Sequence, residues 1–287
     1  MRKYGSLLRI KHYIKNLLVF LPLLFSGGFR QGELLIRSVG GFLAFCAVSS
    51  CVYIINDIFD RENDRNHSTK KHRPIASGAV SVRAAVFLAV CMTVLAGLLE
   101  VLFVKSGWMS LLLGLYLLLN NGYSLGLKQV PLVDVVILAS GYVIRVFYGG
   151  AVVGAAVSSW LYLTILFFSL FLGLGKRRNE LLRQGDQSRA VLKHYPPAFL
   201  DRMMYMCLTL TVVFYSFWCI DPEVAAQYSP VGLTASIPLL VLVFMKYVMA
   251  VEGASDGDPV EVLLHDKALL ALCGAYALLM GILVWMR

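Results

Sequence analysis

Nine stretches of this sequence, each about twenty residues long, run almost without charge: 13–30, 34–58, 82–104, 107–126, 131–153, 158–177, 203–221, 231–250 and 268–286. Inside a bilayer every backbone N–H and C=O must find its partner within the protein, so only helices and closed barrels can span it. A helix of about 20 residues crosses a hydrocarbon core of about 30 Å. The apolar runs are continuous rather than alternating, which points to helices and against a strand barrel. The chain is 59% hydrophobic over 287 residues, whereas soluble domains sit near 45–50%. The expected fold is an all-α polytopic membrane protein of about nine spans, forming one domain over 1–287.

The charged residues set the expected orientation. With nine spans and the N-terminus cytoplasmic, 21 of the 26 Lys and Arg residues fall on the cytoplasmic face. Four fall on the other face: Arg30, Arg37, Lys105 and Arg287. Positive loops stay inside, so the N-terminus is expected in the cytoplasm and the C-terminus outside a plasma (inner) membrane. The formal net charge of +9 is then explained by anionic headgroups of the lipid bilayer. No nucleic-acid module is recognisable. All six cysteines lie in apolar segments without CxxC pairing and read as small buried hydrophobes. No histidine has ligand spacing. Basic residues before "LLVFLPLLF" resemble a signal peptide, but no A-x-A site follows and a retained first helix is expected. The long polar loops, about 59–81 and 178–202, share the cytoplasmic face with the 252–267 loop, so chemistry is expected there.

The first of those loops opens with "NDIFDRENDR", directly after the uncharged "LAFCAVSSCVYII". On a continuing helix Asn56, Asp60, Asp64 and Asp57 lie at about 0°, 40°, 80° and 100°, within one arc. Glu62 lies at about 240°, away from it. Three carboxylates converging at a membrane surface repel one another, and a cation relieves that cost. Hard oxygen donors suit Mg²⁺, which binds one or two carboxylates together with substrate phosphates. Asp57, Asp60 and Asp64 are therefore the candidate catalytic residues, and with Asn56 the candidate metal ligands. Lys70, Lys71 and Arg73 follow at once and suit the remaining phosphate oxygens. The competing reading is a solvated loop of mixed charge.

"NDIFDRENDR…KKHRPIASG" resembles the N-D-x-x-D-x-x-x-D motif and following R-P-I-x-S-G of the UbiA superfamily of intramembrane prenyltransferases. "YSLGLKQVPLVDV" resembles its Y-S-x-x-L-K segment, and the nine-span layout fits, so the resemblance covers nearly the whole chain. It implies a helical bundle around a cytoplasm-facing central cavity. Ordinary members carry a second aspartate-rich motif after the sixth span. Here "LGLGKRRNELLRQG" stands in that place, with Lys176, Arg177 and Glu180 on one helical arc. One carboxylate with two or three bases suits anionic phosphates better than a second metal. A positive-inside anchor is the competing reading.

The G-K-R-x-x-E-L pattern resembles the decaprenyl-phosphate phosphoribosyltransferase branch. So do the opening "RIKHYIKNLLVFLPLLFSG" and the fifth-helix "GYVIRVFYGG". This implies transfer of 5-phosphoribose from 5-phosphoribosyl 1-diphosphate (PRPP) to a polyprenyl phosphate, with Mg²⁺ and release of diphosphate. The product would be a cell-wall-type lipid precursor. Further candidate substrate-binding residues are Lys11, Lys15 and Asn16, with Lys11 and Lys15 forming an i, i+4 pair on one face. Tyr123 and Lys128 are candidates at the cavity mouth, with Asp134 beside them either in the cavity or latched to Lys128. Arg145 lies about 21 Å along its helix from Pro131 and needs a wet or paired site. Two alternatives remain: prenyl transfer from a prenyl diphosphate to an aromatic or lipid acceptor, and a non-catalytic lipid-phosphate carrier. For the first, Glu180 and Asp186 are the only acids near 176–186, and i, i+6 does not place them on one face. Small-residue packing at membrane interfaces leaves weak signatures, so a homo-oligomer is compatible with the sequence without being specified by it.

Overall fold

The computed structural model describes residues 2–66, 70–104, 109–184, 190–253 and 257–287. His67 and Asp186 lie outside the described residues. Every regular element among the described residues is helical. The long helices are α1 (Gly32–Phe59), α2 (Val82–Leu99), α3 (Met109–Leu125), α4 (Val133–Val153), α5 (Ser159–Gln184), α6 (Pro197–Ile220), α7 (Pro230–Glu252) and α8 (Lys267–Trp285). Seven of the described helices are long and apolar enough to cross a membrane, α3 being the one of these eight that falls short in length. The chain is a multi-pass membrane protein.

The expected span at 13–30 takes a different form. Ile10–Phe20 is a 3₁₀-helix, followed by a short α-helix at Leu21–Phe25. Pro22 has no N–H for an i→i−4 bond, so the α register restarts there. A 3₁₀-helix rises about 2.0 Å per residue. The two pieces therefore reach about 30 Å, the thickness of the hydrocarbon core. At three residues per turn, Lys11 and Lys15 stand about 120° apart rather than on one face, which corrects the α-helical pairing.

The chain divides into two compact units, 1–128 with 144–156 and 129–143 with 157–287, so α4 contributes its first half to the second unit and its second half to the first. In the first unit α1 is central. Its apolar window is 72% buried, against 17% for α2. A helix that is apolar all round belongs inside a bundle, whereas α2 turns Phe87 and Val90 outward as lipid-facing side chains do. Val19, Phe45, Val48, Leu113, Tyr116 and Tyr148 form the core around α1. The first segment is tied to α1 by the Tyr13 and Ser50 hydroxyls, 2.7 Å apart, and by Ser50 Oγ donating to the Leu8 carbonyl at 2.9 Å.

Gly149 shows how close that packing is. A Cβ built there would lie 2.1 Å from the Val19 carbonyl oxygen, a backbone atom that cannot swing aside. Small residues let membrane helices approach in this way. Gly149→Ala is expected to cost at least the 1–3 kcal/mol typical of overpacking, roughly. The measurement is the thermal midpoint in detergent, which should fall by several degrees.

In the second unit Phe171, Leu172, Leu200 and Met204 knit α5 to α6, while Val243, Val251, Val262 and Leu269 join α7 to α8. Ser229 caps α7 ahead of Pro230, its Oγ accepting from Gly232 N–H at 3.3 Å. Asp266 caps α8 by accepting from the Ala268 and Leu269 N–H groups, each at 3.0 Å. Such caps satisfy helix-end donors that would otherwise stay unpaired. The six cysteines are free thiols, four of them buried.

Candidate active site

Helix α1 ends at Phe59, and Asp60, at φ −84° and ψ 0°, separates it from a short helix at Arg61–Arg65. The i→i−4 pattern nevertheless persists across the break. Asp60 N–H donates to the Asn56 carbonyl at 2.9 Å, and Asp64 N–H to the Asp60 carbonyl at 2.8 Å. The four side chains of the predicted arc therefore stay on one side. Asp57 and Asp64 are 2% and 4% exposed. Glu62 points away, at 72% side-chain exposure, and pairs with Arg65.

Each aspartate meets a base. Arg73 Nη1 lies 3.2 Å from Asp57 Oδ1 and 2.7 Å from Asp64 Oδ2. Arg9 Nη2 donates to the same Asp57 oxygen at 2.6 Å. Lys128 Nζ donates to Asp60 Oδ1, and Asn56 Nδ2 to Asp60 Oδ2 at 3.1 Å. Asn56 Oδ1 in turn accepts from Ser124 Oγ at 3.1 Å. Burial pushes the Asp64 carboxyl above the ordinary aspartate range, Arg73 opposes this, and the charges of Asp57 and Asp60 add to it. Asp57 and Asp64 thus converge on one nitrogen, while Asp60 turns to Lys128. For that reason no three acidic, His or Cys side chains among the described residues stand together as a metal site. The donor set itself fits a hard divalent cation: three carboxylates and one amide oxygen, two of the carboxylates already meeting at a cationic group.

Local structure explains how the bases arrive. Arg9 sits in the left-handed region, φ 52° and ψ 48°, between two helical pieces, and its guanidinium lies 4.6 Å from the Tyr53 ring centroid. Strain of this kind persists only where the surroundings over-determine it, and the Asp57 pair with the Tyr53 stack supplies the restraint. Lys128 follows Gly126, whose φ of 151° turns the chain back after α3. Arg73 belongs to a loop held by Ile75, 1% exposed, and by Arg65 Nε donating to the Ala76 carbonyl at 3.2 Å. Lys70 and Lys71 lie in the adjacent 3₁₀ turn. Lys71 is exposed and Lys70 half-buried, as is Tyr123 on α3.

Other candidates sit deeper. Asn16 is 1% exposed, and its Nδ2 lies 3.2 Å from Cys46 Sγ and 3.1 Å from Ser49 Oγ. Its Oδ1 accepts from Arg145 Nε at 2.8 Å. Arg145 Nη2 also donates to the Tyr116 hydroxyl at 3.2 Å, and the guanidinium lies against the Phe45 and Tyr116 rings. The paired site that a deep arginine needs is therefore built from the first segment, α1 and α3. Lys11 is exposed and Lys15 half-buried.

In the second unit α5 continues as a helix through 176–180, as the arc required. Lys176 Nζ lies 3.3 Å from Asp258 Oδ2. Arg177 is fully buried, 2.5 Å from both Asp134 Oδ2 and Glu180 Oε2. Tyr195 Oη donates to Asp134 Oδ1 at 2.6 Å and accepts from Leu132 N–H at 2.6 Å. Burial pushes the Tyr195 phenol up, so it stays a donor to Asp134. Asp134 thus belongs to Arg177 and Lys128 to Asp60, which corrects the suggested latch between Asp134 and Lys128. Next along, Asn179 Nδ2 donates to the Val251 carbonyl at 2.7 Å, and Arg178 Nε to Asp201 Oδ1.

Sequence reasoning passed over Arg9, Ser124 and Asp258 as site neighbours. Arg9 and Ser124 lie within motifs already singled out. Glu100 was also missed. It is 5% exposed inside an apolar span and bonded by the Tyr148 and Ser110 hydroxyls.

Comparison with known proteins places the chain in a family. The chain is 32% identical to "Decaprenyl-phosphate phosphoribosyltransferase" of Corynebacterium glutamicum, a match covering 96% of this chain and 86% of the other. It is 31% identical to the protein of the same name from Mycobacterium tuberculosis, over 96% of this chain and 91% of the other. A solved UbiA homolog from Archaeoglobus fulgidus, bound to GPP and Mg²⁺, has a TM-score of 0.70 at 20% identity and covers 99% of this chain and 100% of its own. The UbiA prenyltransferase family model matches residues 19–272. The protein belongs to the UbiA prenyltransferase family.

Proposed function

We propose that this protein is an Mg²⁺-dependent transferase that moves 5-phosphoribose from PRPP to a polyprenyl phosphate, of decaprenyl phosphate type, at the cytoplasmic face of the plasma membrane. The observation that carries this reading is the likeness to two proteins named decaprenyl-phosphate phosphoribosyltransferase, running over 96% of the chain. A match that long takes in both the aspartate motif and the basic segment that replaces a second aspartate motif. The whole chain is proposed to act as one functional domain, since one family model runs across both units.

The reaction needs little beyond positioning and charge. An oxygen of the lipid phosphate, already ionised at neutral pH, bonds to C1 of the ribose. The bond from C1 to diphosphate breaks, and its electron pair leaves with the diphosphate, so no net proton transfer is required. Bound Mg²⁺ would stabilise the charge that develops on the leaving diphosphate. Asp57, Asp60 and Asp64 would hold it, with Asn56 orienting Asp60. Lys70, Lys71, Arg73 and Lys128 would neutralise phosphate oxygens beyond the metal's reach, the electrostatic stabilisation that contributes most where little covalent help is needed. Lys176, with 30% of its side chain exposed, is the base of the second motif open to a phosphate, while Arg177 and Glu180 position the helix that carries it. Lys11, Lys15 and Tyr123 are proposed at the substrate entrance. Asn16 and Arg145 are proposed to brace the first helix beneath them.

The test is direct. Purified protein is incubated with PRPP labelled in the ribose, Mg²⁺ and polyprenyl phosphate, and label is sought in the organic phase. Label there is the expected result. The family name favours a second reading, prenyl transfer. Absence of label, together with product from prenyl diphosphate and an aromatic acceptor, would establish that reading instead.

A further inference from the structure

The aspartate cluster is balanced without any metal. Asp57, Asp60 and Asp64 supply three negative charges, and Arg9, Arg73 and Lys128 supply three positive ones at hydrogen-bond distance. Two of the acids are almost completely buried. A divalent cation entering this arrangement would raise its formal charge from zero to +2, which a buried site resists. Entry becomes favourable if a base leaves the carboxylates and an anion arrives to receive it.

Arg73 is the base built to leave. A single nitrogen of it stands between Asp57 and Asp64, at 3.2 and 2.7 Å, the position where one cation can serve both. Its side chain is 26% exposed. Its loop is fixed next door by Ile75 and by the Arg65 contact to Ala76, so the guanidinium can swing while the backbone stays. Arg9 is more constrained, stacked on Tyr53 and held at a left-handed backbone position.

We infer that Arg73 is an exchangeable counter-ion: in the donor-free protein it occupies the place between Asp57 and Asp64 that a divalent cation takes, and it moves to the diphosphate when cation and donor bind together. Divalent-cation affinity is therefore low until the donor is present, and the two ligands bind with positive coupling. This rests on the proposed metal-diphosphate site. It adds that the arginine opposes the metal when the donor is absent, whereas a residue serving only the diphosphate would leave donor-free metal affinity unchanged.

Mn²⁺ binding, read by electron paramagnetic resonance on purified full-length protein in detergent without donor or acceptor, tests it. Arg73→Gln is expected to bind Mn²⁺ about tenfold more tightly than the unaltered protein, within the usual range of coupling between sites. Equal or weaker binding by a folded Arg73→Gln protein overturns the inference. If that variant does not fold, Arg73→Lys carries the test, since its ammonium sits on a shorter stem and falls short of the place where one arginine nitrogen meets both carboxylates. Tighter Mn²⁺ binding by Arg73→Lys supports the exchange, and unchanged or weaker binding overturns it. No substrate enters this measurement. Tighter Mn²⁺ binding combined with failure of the PRPP assay would overturn the donor assignment and leave the exchange standing.

Discussion

Replacing Asp60 and Asp64 together by asparagine is expected to lower phosphoribosyl transfer by about a thousandfold or more. Removal of one preorganised electrostatic contact in other enzymes costs roughly 10²–10³ in rate, and this change removes two of the three anionic charges of the cluster. Asparagine keeps the shape and one oxygen of each side chain. The partners left behind, Lys128 and Arg73, are 19% and 26% exposed and can turn to water or lipid headgroups. The thermal midpoint should therefore move by only a few degrees while activity collapses. Labelled-PRPP turnover across a Mg²⁺ titration is the measurement. A double variant with normal turnover in the absence of Mg²⁺ would refute the role given to the aspartates and their metal, whereas no turnover by the unaltered protein at any Mg²⁺ concentration would favour a lipid-phosphate carrier.

The second large effect is on stability and lies in the other unit. Arg177→Ala removes a buried cation and leaves Asp134, which has no exposed surface, with one hydroxyl donor. Breaking a buried ion pair from one side costs about 3–5 kcal/mol, because the remaining charge stays desolvated. For a chain of this size that lowers the thermal midpoint by about 10 °C. The damage should spread, because Asp134 also holds Tyr195, which receives the Leu132 N–H at a left-handed position before α4. Removing both members of that pair with Arg177→Met and Asp134→Leu should recover part of the loss, Glu180, the second acid on Arg177, keeping its charge with 11% of its side chain exposed. Lys176→Ala provides the contrast. Its pair with Asp258 is partly solvated and contributes roughly 0–1 kcal/mol, so stability should barely change while phosphate binding weakens. A midpoint for Arg177→Ala equal to that of Lys176→Ala would contradict the buried-pair account.

The two bases that differ so much here are neighbours in "GKRRNEL" and look alike in the sequence. Helical spacing put Lys176, Arg177 and Glu180 on one arc, and the helix does run through them. Spacing does not say what stands opposite. Asp134, Tyr195 and Asp258 come from segments far along the chain, and they decide which base is sealed in and which remains open. The same holds for Asn16 and Arg145, 129 positions apart and bonded at 2.8 Å. Their motifs marked them as candidates, and packing made them partners of each other.

What the sequence determined by itself was the class of fold and which side chains of its first motif share a side. Long uncharged runs admit little besides membrane helices, and the period of a helix fixes which of Asn56, Asp57, Asp60, Glu62 and Asp64 share a side. Those are local consequences of backbone geometry, legible from spacing alone. Tertiary structure decided where the counter-charges fall. It made the first segment 3₁₀ rather than α, which separates Lys11 from Lys15. It set Arg9, Arg73 and Lys128 on the aspartates and sealed Arg177 against Asp134. A buried charge takes whichever partner the fold brings within about 3–4 Å, and that distance is set by packing between segments remote in the chain.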